Sequence, residues 1–299
     1  MSTSTLPKTP VWFITGTSQG FGRELVRLAL ERGDSVVATS RDPAKVAAAF
    51  PDAGERLLPT ALDLHDPASI RAAVDGAVAR FGRIDVLVNN AGHGIIGALE
   101  EVSDQEAAGV FEVNIFGLLR VTRAVLPHLR RQRGGRVVNL SSIGGLVGLP
   151  GYSTYNATKF ALEGLSEALA AEVTPLGIRV TLVEPGPFRT DFLGSSLLLA
   201  KETIEDYADT AGKTRAAAGV RHGNQAGDPV RGAQAIIDAV TSDDPPLHLP
   251  LGKFAYERGL TKFEAMRAEF ERCKEIAVAA DFTAEEMAAS GADQTPLRG

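Results

Sequence analysis

Cysteine is almost missing from this chain: Cys273 is the only one among 299 residues. No intramolecular disulfide can form, which fits a reducing, cytoplasmic compartment. An excess of basic charge is missing too. The formal net charge is −6, so no global field attracts nucleic acid or anionic lipid. The local group Arg130, Arg131, Arg133 and Arg136 reads as solvated cations near the end of a helix. No apolar run approaches the roughly 18 residues of a membrane span, and residues 1–10 are polar, without the apolar core of a secretory signal. His65, His93, His128, His222 and His248 show no ligand-like spacing to one another or to Cys273, so no metal site is expected. Internal repeats are absent as well. What is present is ordinary globular composition, 44% hydrophobic and 23% charged, in a length that suits one large α/β domain.

Short β-branched runs alternate with longer amphipathic ones. Strands are predicted at 11–14, 35–39, 56–62, 84–88, 136–140 and 178–183, with a short seventh at 247–251. Helices are predicted at 21–32, 66–81, 104–132, 153–174, 229–241 and 254–279. Strands that are apolar on both faces and alternate with helices imply a doubly wound parallel sheet, a Rossmann-type α/β fold. Residues 10–252 read as that single domain. Within it, a weakly periodic, glycine-interrupted segment at about 191–228 reads as a lid. Residues 253–299 read as a helical extension and tail that frays over its last dozen residues.

The first strand runs into Thr15-Gly16-Thr17-Ser18-Gln19-Gly20-Phe21-Gly22, and a helix follows. Glycines at such a junction permit a tight turn and let backbone N–H groups approach a pyrophosphate at the helix N-terminus. The spacing is G-x3-G-x-G, not G-x-G-x-x-G. The second strand ends Ala38-Thr39-Ser40-Arg41, with no carboxylate before Asp42. NAD-selective folds place an acid near this point for the ribose 2′-hydroxyl, whereas the Arg41 guanidinium suits a 2′-phosphate. NADP(H) is therefore the preferred cofactor expected, and NAD(H) stays open.

Four further stretches fall at strand ends or on the following helix: Asn89-Asn90-Ala91-Gly92, Ser141-Ser142, Tyr155-Asn156-Ala157-Thr158-Lys159 and Pro185-Gly186-Pro187-Phe188-Arg189-Thr190. With the glycine turn, this ordered set resembles the short-chain dehydrogenase/reductase family over roughly residues 11–190. The stretches 140–149 and 159–169 are similar to the branch holding steroid and retinol dehydrogenases.

The chemistry also follows from the residues. Tyr155 and Lys159 are four apart on a helix and share a face. A free phenol titrates near pH 10, and a neighbouring ammonium is expected to lower that value. A serine hydroxyl at a strand's C-terminal end can hydrogen-bond a substrate oxygen as charge develops there. Family spacing selects Ser142 over Ser141, which would point to the other face if the strand extends that far. The resemblance implies that Asn114 helps hold a water-linked relay to Lys159. It implies Asp63 and Leu64 at the adenine, and Asn90, Ala91 and Gly92 beside the adenine ribose. It also implies Pro185, Gly186, Phe188 and Thr190 around the nicotinamide, with Gly16, Ser18, Gln19, Gly20, Phe21 and Gly22 at the pyrophosphate. Tyr152 reads as an aromatic at the start of a helix, and His93 either faces substrate or is a plain loop residue.

The reading that follows is an oxidoreductase interconverting a ketone or aldehyde and an alcohol, with Tyr155 as acid and base. A catalytically silent NADP(H)-sensing regulator is the alternative, disfavoured by the intact Ser142, Tyr155 and Lys159. A sugar epimerase or dehydratase is disfavoured by the glycine spacing. Phe192, Leu193, Leu197, Leu198, Leu199 and Tyr207 in the lid imply a hydrophobic substrate, or else pack a helix against the core. The resemblance implies a homodimer or homotetramer built through 104–132.

Overall fold

The computed structural model describes residues 6–290, so most of the stretch expected to fray lies outside the described residues, while 288–290 are helical. Strand β1 (Val11–Thr15) is buried along its whole length. Its side chains alternate between two cores. Trp12 and Ile14 join one cluster, with Leu25, Ala29, Ile236 and Ile237, while Phe13 joins another, with Ile70, Val74, Val125 and Leu129. A strand with apolar residues on both faces requires a helical layer on each side.

The layers form in chain order. After β1 come α1 (Gly20–Glu31), β2 (Ser35–Ser40), α2 (Pro43–Ala49), β3 (Leu57–Ala61), α3 (Pro67–Phe81), β4 (Val86–Asn89) and β5 (Gly94–Ile96). Next are α4 (Asp104–Phe111), α5 (Leu118–Gln132), β6 (Gly135–Leu140), α6 (Ser153–Val173), β7 (Ile178–Pro185) and β8 (Leu197–Leu199). The chain ends in α7 (Lys213–Arg221), α8 (Pro229–Thr241), β9 (His248–Leu251), α9 (Lys253–Val278) and α10 (Ala284–Ser290). The seven-stranded sheet runs β3-β2-β1-β4-β6-β7-β9, all parallel. From β1 the order goes outward to β2 and β3 on one side and to β4 on the other. That reversal opens a crevice beyond the C-terminal ends of β1 and β4, where doubly wound sheets take their ligands.

Several segments differ from the sequence expectation: α2 and β5 form where no element is predicted, and two further departures bear on the site. The single helix expected over 104–132 is interrupted by one wide π-type turn at Glu112–Gly117, although the flanking dihedrals stay right-handed helical. The turn carries Asn114 inward onto the loop after β4 and onto α6, and it brings Gly117 so close to Leu64 that a Cβ there would lie 2.8 Å from the Leu64 Cβ. Residues 191–228 are also more ordered than their weak periodicity suggests. The leucine run is a strand, β8, paired in parallel with β5 from Gly94↔Leu197 to Ile96↔Leu199. Leu198 and Leu199 are about half exposed, so the run does not pack a helix against the core. Among the described residues no helix is long and apolar enough to cross a membrane.

Candidate active site

The glycine turn is built so that only glycine fits at three points. Gly16 and Gly20 have φ of +69° and +57°, which side-chain-bearing residues rarely adopt. Gly22 lies so near the turn that a Cβ would sit 2.3 Å from the Gly16 carbonyl oxygen. Asn90 holds this shape by donating from Nδ2 to the carbonyls of Thr15 (2.8 Å) and Gly16 (2.9 Å). The Thr15 hydroxyl accepts from the amides of Asn90 and Ala91, both at 3.0 Å. Gln19, the N-cap of α1, makes no side-chain capping bond, and the first turn holds no acidic residue. The helix therefore presents its first N–H groups and positive dipole end to the crevice, a cradle that fits a pyrophosphate.

The other residues expected at the cofactor fall at several strand ends. A Cβ on Gly20 would lie 3.4 Å from the Thr190 Cβ, so Thr190 stands over the turn. The Gln19 amide donates to Ser195 (3.0 Å) and Ser196 (3.1 Å), tying the turn to the lid. Ser18 and Arg41 are exposed at the mouth, and the buried Ser40 hydroxyl beside Arg41 has no hydrogen-bond partner. At the end of β3, Asp63 accepts from the His65 amide and Leu64 packs on α5 through the Arg120 guanidinium and Gly117. The Phe21 and Phe188 rings meet at 5.0 Å and crowd Gly232, so those two side chains pack α1 against α8 and leave only their backbones for a ligand. Pro185 ends β7, and the Gly186 amide is held by the Leu251 carbonyl.

At the C-terminal end of β6 the two serines part. Ser141 donates to Glu163 farther along α6, whereas the Ser142 hydroxyl accepts from the Gly144 amide at 3.0 Å. A Cβ on Gly144 would lie 3.4 Å from both Ser142 Oγ and Tyr155 Cε1, so this glycine lets serine and phenol come together. Lys159, one turn along α6 from Tyr155, donates from Nζ to the Leu140 carbonyl at 2.7 Å and lies 5.7 Å from the centre of the Tyr155 ring. Asn114 donates to the His93 carbonyl (2.9 Å) and the Thr158 hydroxyl (3.1 Å), and accepts from the His93 amide (3.0 Å). Its side chain thus clamps the loop after β4 to α6. His93 is pushed below the ordinary imidazole range by burial first, then by the charges of Lys159 and Arg41, and its Nδ1 is unpartnered.

The titration of Tyr155 differs from expectation. Burial pushes the phenol up to about 12, only partly offset by its hydrogen bond with Ser142. Burial likewise pushes the Lys159 amine down to about 8, against the pull of Glu163. Desolvation is the largest cause for both groups, and Nζ faces the ring and the Leu140 carbonyl.

Around the phenol the walls are aromatic: Tyr152 at 6.0 Å and Phe192 of the lid at 5.5 Å between ring centres. The rest of the lid hangs on Glu101, which is 2% exposed. Its carboxylate accepts from the amides of Ala98 (2.8 Å) and Ile204 (2.9 Å) and from the Arg215 guanidinium (3.1 Å). These donors, the Ile204 amide foremost, hold it below the usual carboxylate range. Removing the carboxylate strands buried donors at about 1–3 kcal/mol each. Glu101→Ala should therefore raise the substrate KM severalfold with little change in kcat. An unchanged KM in steady-state kinetics would show that this anchor does not control the lid.

Nothing in the sequence pattern pointed to Glu101, Glu163, Glu184 or His248, since their partners come from elements far away in the chain. A carboxylate directly after Leu182-Val183 in β7, as at Glu184, is the one available signal.

Comparison with known proteins agrees with this architecture. The short chain dehydrogenase family profile matches residues 10–197. An oxidoreductase of Botryotinia fuckeliana, BOA17, is 37% identical over 91% of this chain and 99% of its own length. Human 17-beta-hydroxysteroid dehydrogenase type 1 is 37% identical over 79% of this chain and 76% of that protein. The crystal structure of a short-chain dehydrogenase from Streptomyces avermitilis superposes with a TM-score of 0.84 at 41% identity, covering 92% of this chain and all (100%) of that one. The chain belongs to the short-chain dehydrogenase/reductase family of NAD(P)-dependent oxidoreductases and has steroid-dehydrogenase-like relatives.

Proposed function

We propose that this enzyme uses NADP(H) to interconvert a bulky, apolar ketone or aldehyde and the corresponding alcohol, with Tyr155 as the proton donor and acceptor. The observation that carries this reading is the meeting of Ser142, Tyr155 and Lys159 at the end of β6, beside the pyrophosphate cradle. When bound, the dinucleotide supplies or accepts the hydride. The protein's residues manage the oxygen. Ser142 donates a hydrogen bond to it, and Tyr155 gives it a proton in reduction and removes one in oxidation. Lys159, held by the Leu140 carbonyl, keeps a positive charge next to the phenol, and Asn114 fixes the loop after β4 against α6. Gly16, Gly20 and Gly22 with the start of α1 would hold the pyrophosphate, and Asn90, Ala91 and Gly92 would wall the ribose. Tyr152 and Phe192 favour an apolar substrate. The single free cysteine suits the cytoplasm, and α4 with α5 offers the face for a homodimer or homotetramer.

NADP(H) preference rests on Arg41 and Ser40. The test is oxidation of NADPH, beside NADH, over ketones, aldehydes, quinones and steroids. A clear NADPH preference with apolar carbonyls is expected, and comparable rates with NADH would remove the role of Arg41. A charged hydrogen bond contributes about 1.5–3 kcal/mol, so Arg41→Asp should lower the NADPH-to-NADH ratio of kcat/KM by about 10–150-fold.

A further inference from the structure

Behind Ser142, on the sheet face covered by α6, lies a polar cluster that the proposed reaction does not use. Glu184 on β7 shares its face with Leu182, whose register partner on β9 is His248. Glu163 reaches the same point from α6. One donor atom from each of Glu163, Glu184 and His248 lies within 4.8 Å of the other two. The His248 Nδ1 is 2.7 Å from Glu184 Oε1 and 3.8 Å from Glu163 Oε2. Glu163 is 5% exposed, and its Oε2 accepts no hydrogen bond although it is buried and turned toward this point. Two buried carboxyl groups facing one another, with only a partly exposed imidazole between them and water, must either share a proton or hold a cation.

The geometry points to a binding site for one divalent transition-metal ion of the zinc type, held by Glu163, Glu184 and His248. Metal–ligand bonds near 2.1 Å in a tetrahedron place neighbouring donors about 3.4 Å apart, between the two distances seen here. Two carboxylates and one imidazole suit such an ion better than the all-oxygen shells of magnesium or calcium. The outer partners that metal sites require are also in place. Ser141 donates to Glu163, and Glu167 Oε1 lies 3.8 Å from the outward His248 Nε2. His248, with 41% of its side chain exposed, gives the ion a path in and leaves a fourth position to water. Sequence spacing hides the cluster because each ligand comes from a different element.

The test is calorimetric titration of the chelator-treated full-length protein with Zn²⁺, with Mg²⁺ in parallel. About one equivalent of Zn²⁺ should bind, Mg²⁺ should not compete, and the melting temperature should rise with Zn²⁺. Glu184→Gln and His248→Ala should abolish this binding, and Glu167→Gln should weaken it by about tenfold or more. Co²⁺ should give the visible absorption of a tetrahedral site, lost in His248→Ala. His248 is partly exposed, so that variant stays decisive if Glu184→Gln fails to fold. No Zn²⁺ binding overturns the site, and so does binding unaffected by His248→Ala, which would belong to surface groups such as Cys273 or His65. None of these readouts depends on turnover, so they stand or fall separately from the proposed reaction.

Discussion

Tyr155→Phe is expected to lower kcat by about 10²–10⁴-fold, the range that a positioned proton donor contributes, while the Kd for NADPH changes little. The substitution deletes one oxygen and keeps the ring between Tyr152 and Phe192, so the pocket walls survive. Gly144, which needs space beside the ring, is not disturbed. The pH profile of kcat/KM gives a second reading, because it reports groups of the free enzyme. Lys159 is pushed down to about 8 and Tyr155 up to about 12. Below pH 8 both hold their protons and reduction is fully supported. As pH rises through about 8 the ammonium beside the phenol is lost, so reduction should decline there, well before the phenol itself ionises. Lys159→Arg, which stays charged, should move that decline to higher pH if it retains turnover. Stopped-flow and steady-state rates for wild type and variant decide the matter. Retained turnover in Tyr155→Phe would remove the phenol from the reaction and pass the proton to another group.

Those assignments could be made from sequence because they depend on local spacing. Tyr155 and Lys159 share a helix face by virtue of being four apart, and the seven strands of the main sheet announce themselves as apolar runs. Element type followed from periodicity, and the switch point followed from strand order. What was hidden depends on contacts between distant segments. The strand pair β5–β8 is three residues per strand, too short to carry a period, and it exists because Gly94 gives Leu197 and Phe192 room to approach. The wide turn at Glu112–Gly117 looks like plain helix in sequence, since its cause is Asn114 turning toward His93 and Thr158. The direction of the Tyr155 shift was misread for a similar reason. The lysine was visible in sequence, but the depth of burial that outweighs it was not. Phe21 and Phe188 lie in stretches expected from sequence to bind cofactor, yet their rings pack α1 against α8, a contact between segments far apart in the chain.

Gly22→Ala should raise the Kd for NADPH by about 5–150-fold and lower the melting temperature. The added methyl would stand 2.3 Å from the Gly16 carbonyl oxygen and 2.5 Å from Asn90 Nδ2. Neither can retreat freely. The carbonyl belongs to a residue fixed at φ +69°, and the Asn90 amide is committed to the carbonyls of Thr15 and Gly16. Forcing a methyl into such a site costs about 1–3 kcal/mol, and relief requires opening the turn that aims the α1 N–H groups at the phosphates. The distortion also passes through Asn90 to the Ala91 amide, and so to the loop that Asn114 clamps near Lys159. Gly76→Ala on α3 is the matched control: its Cβ would meet nothing within 4 Å, and alanine in a helix interior stabilises by up to about 1 kcal/mol. Fluorescence titration with NADPH and thermal melts separate the two positions. Affinity unchanged in a folded Gly22→Ala protein would mean that the pyrophosphate does not rest on this turn.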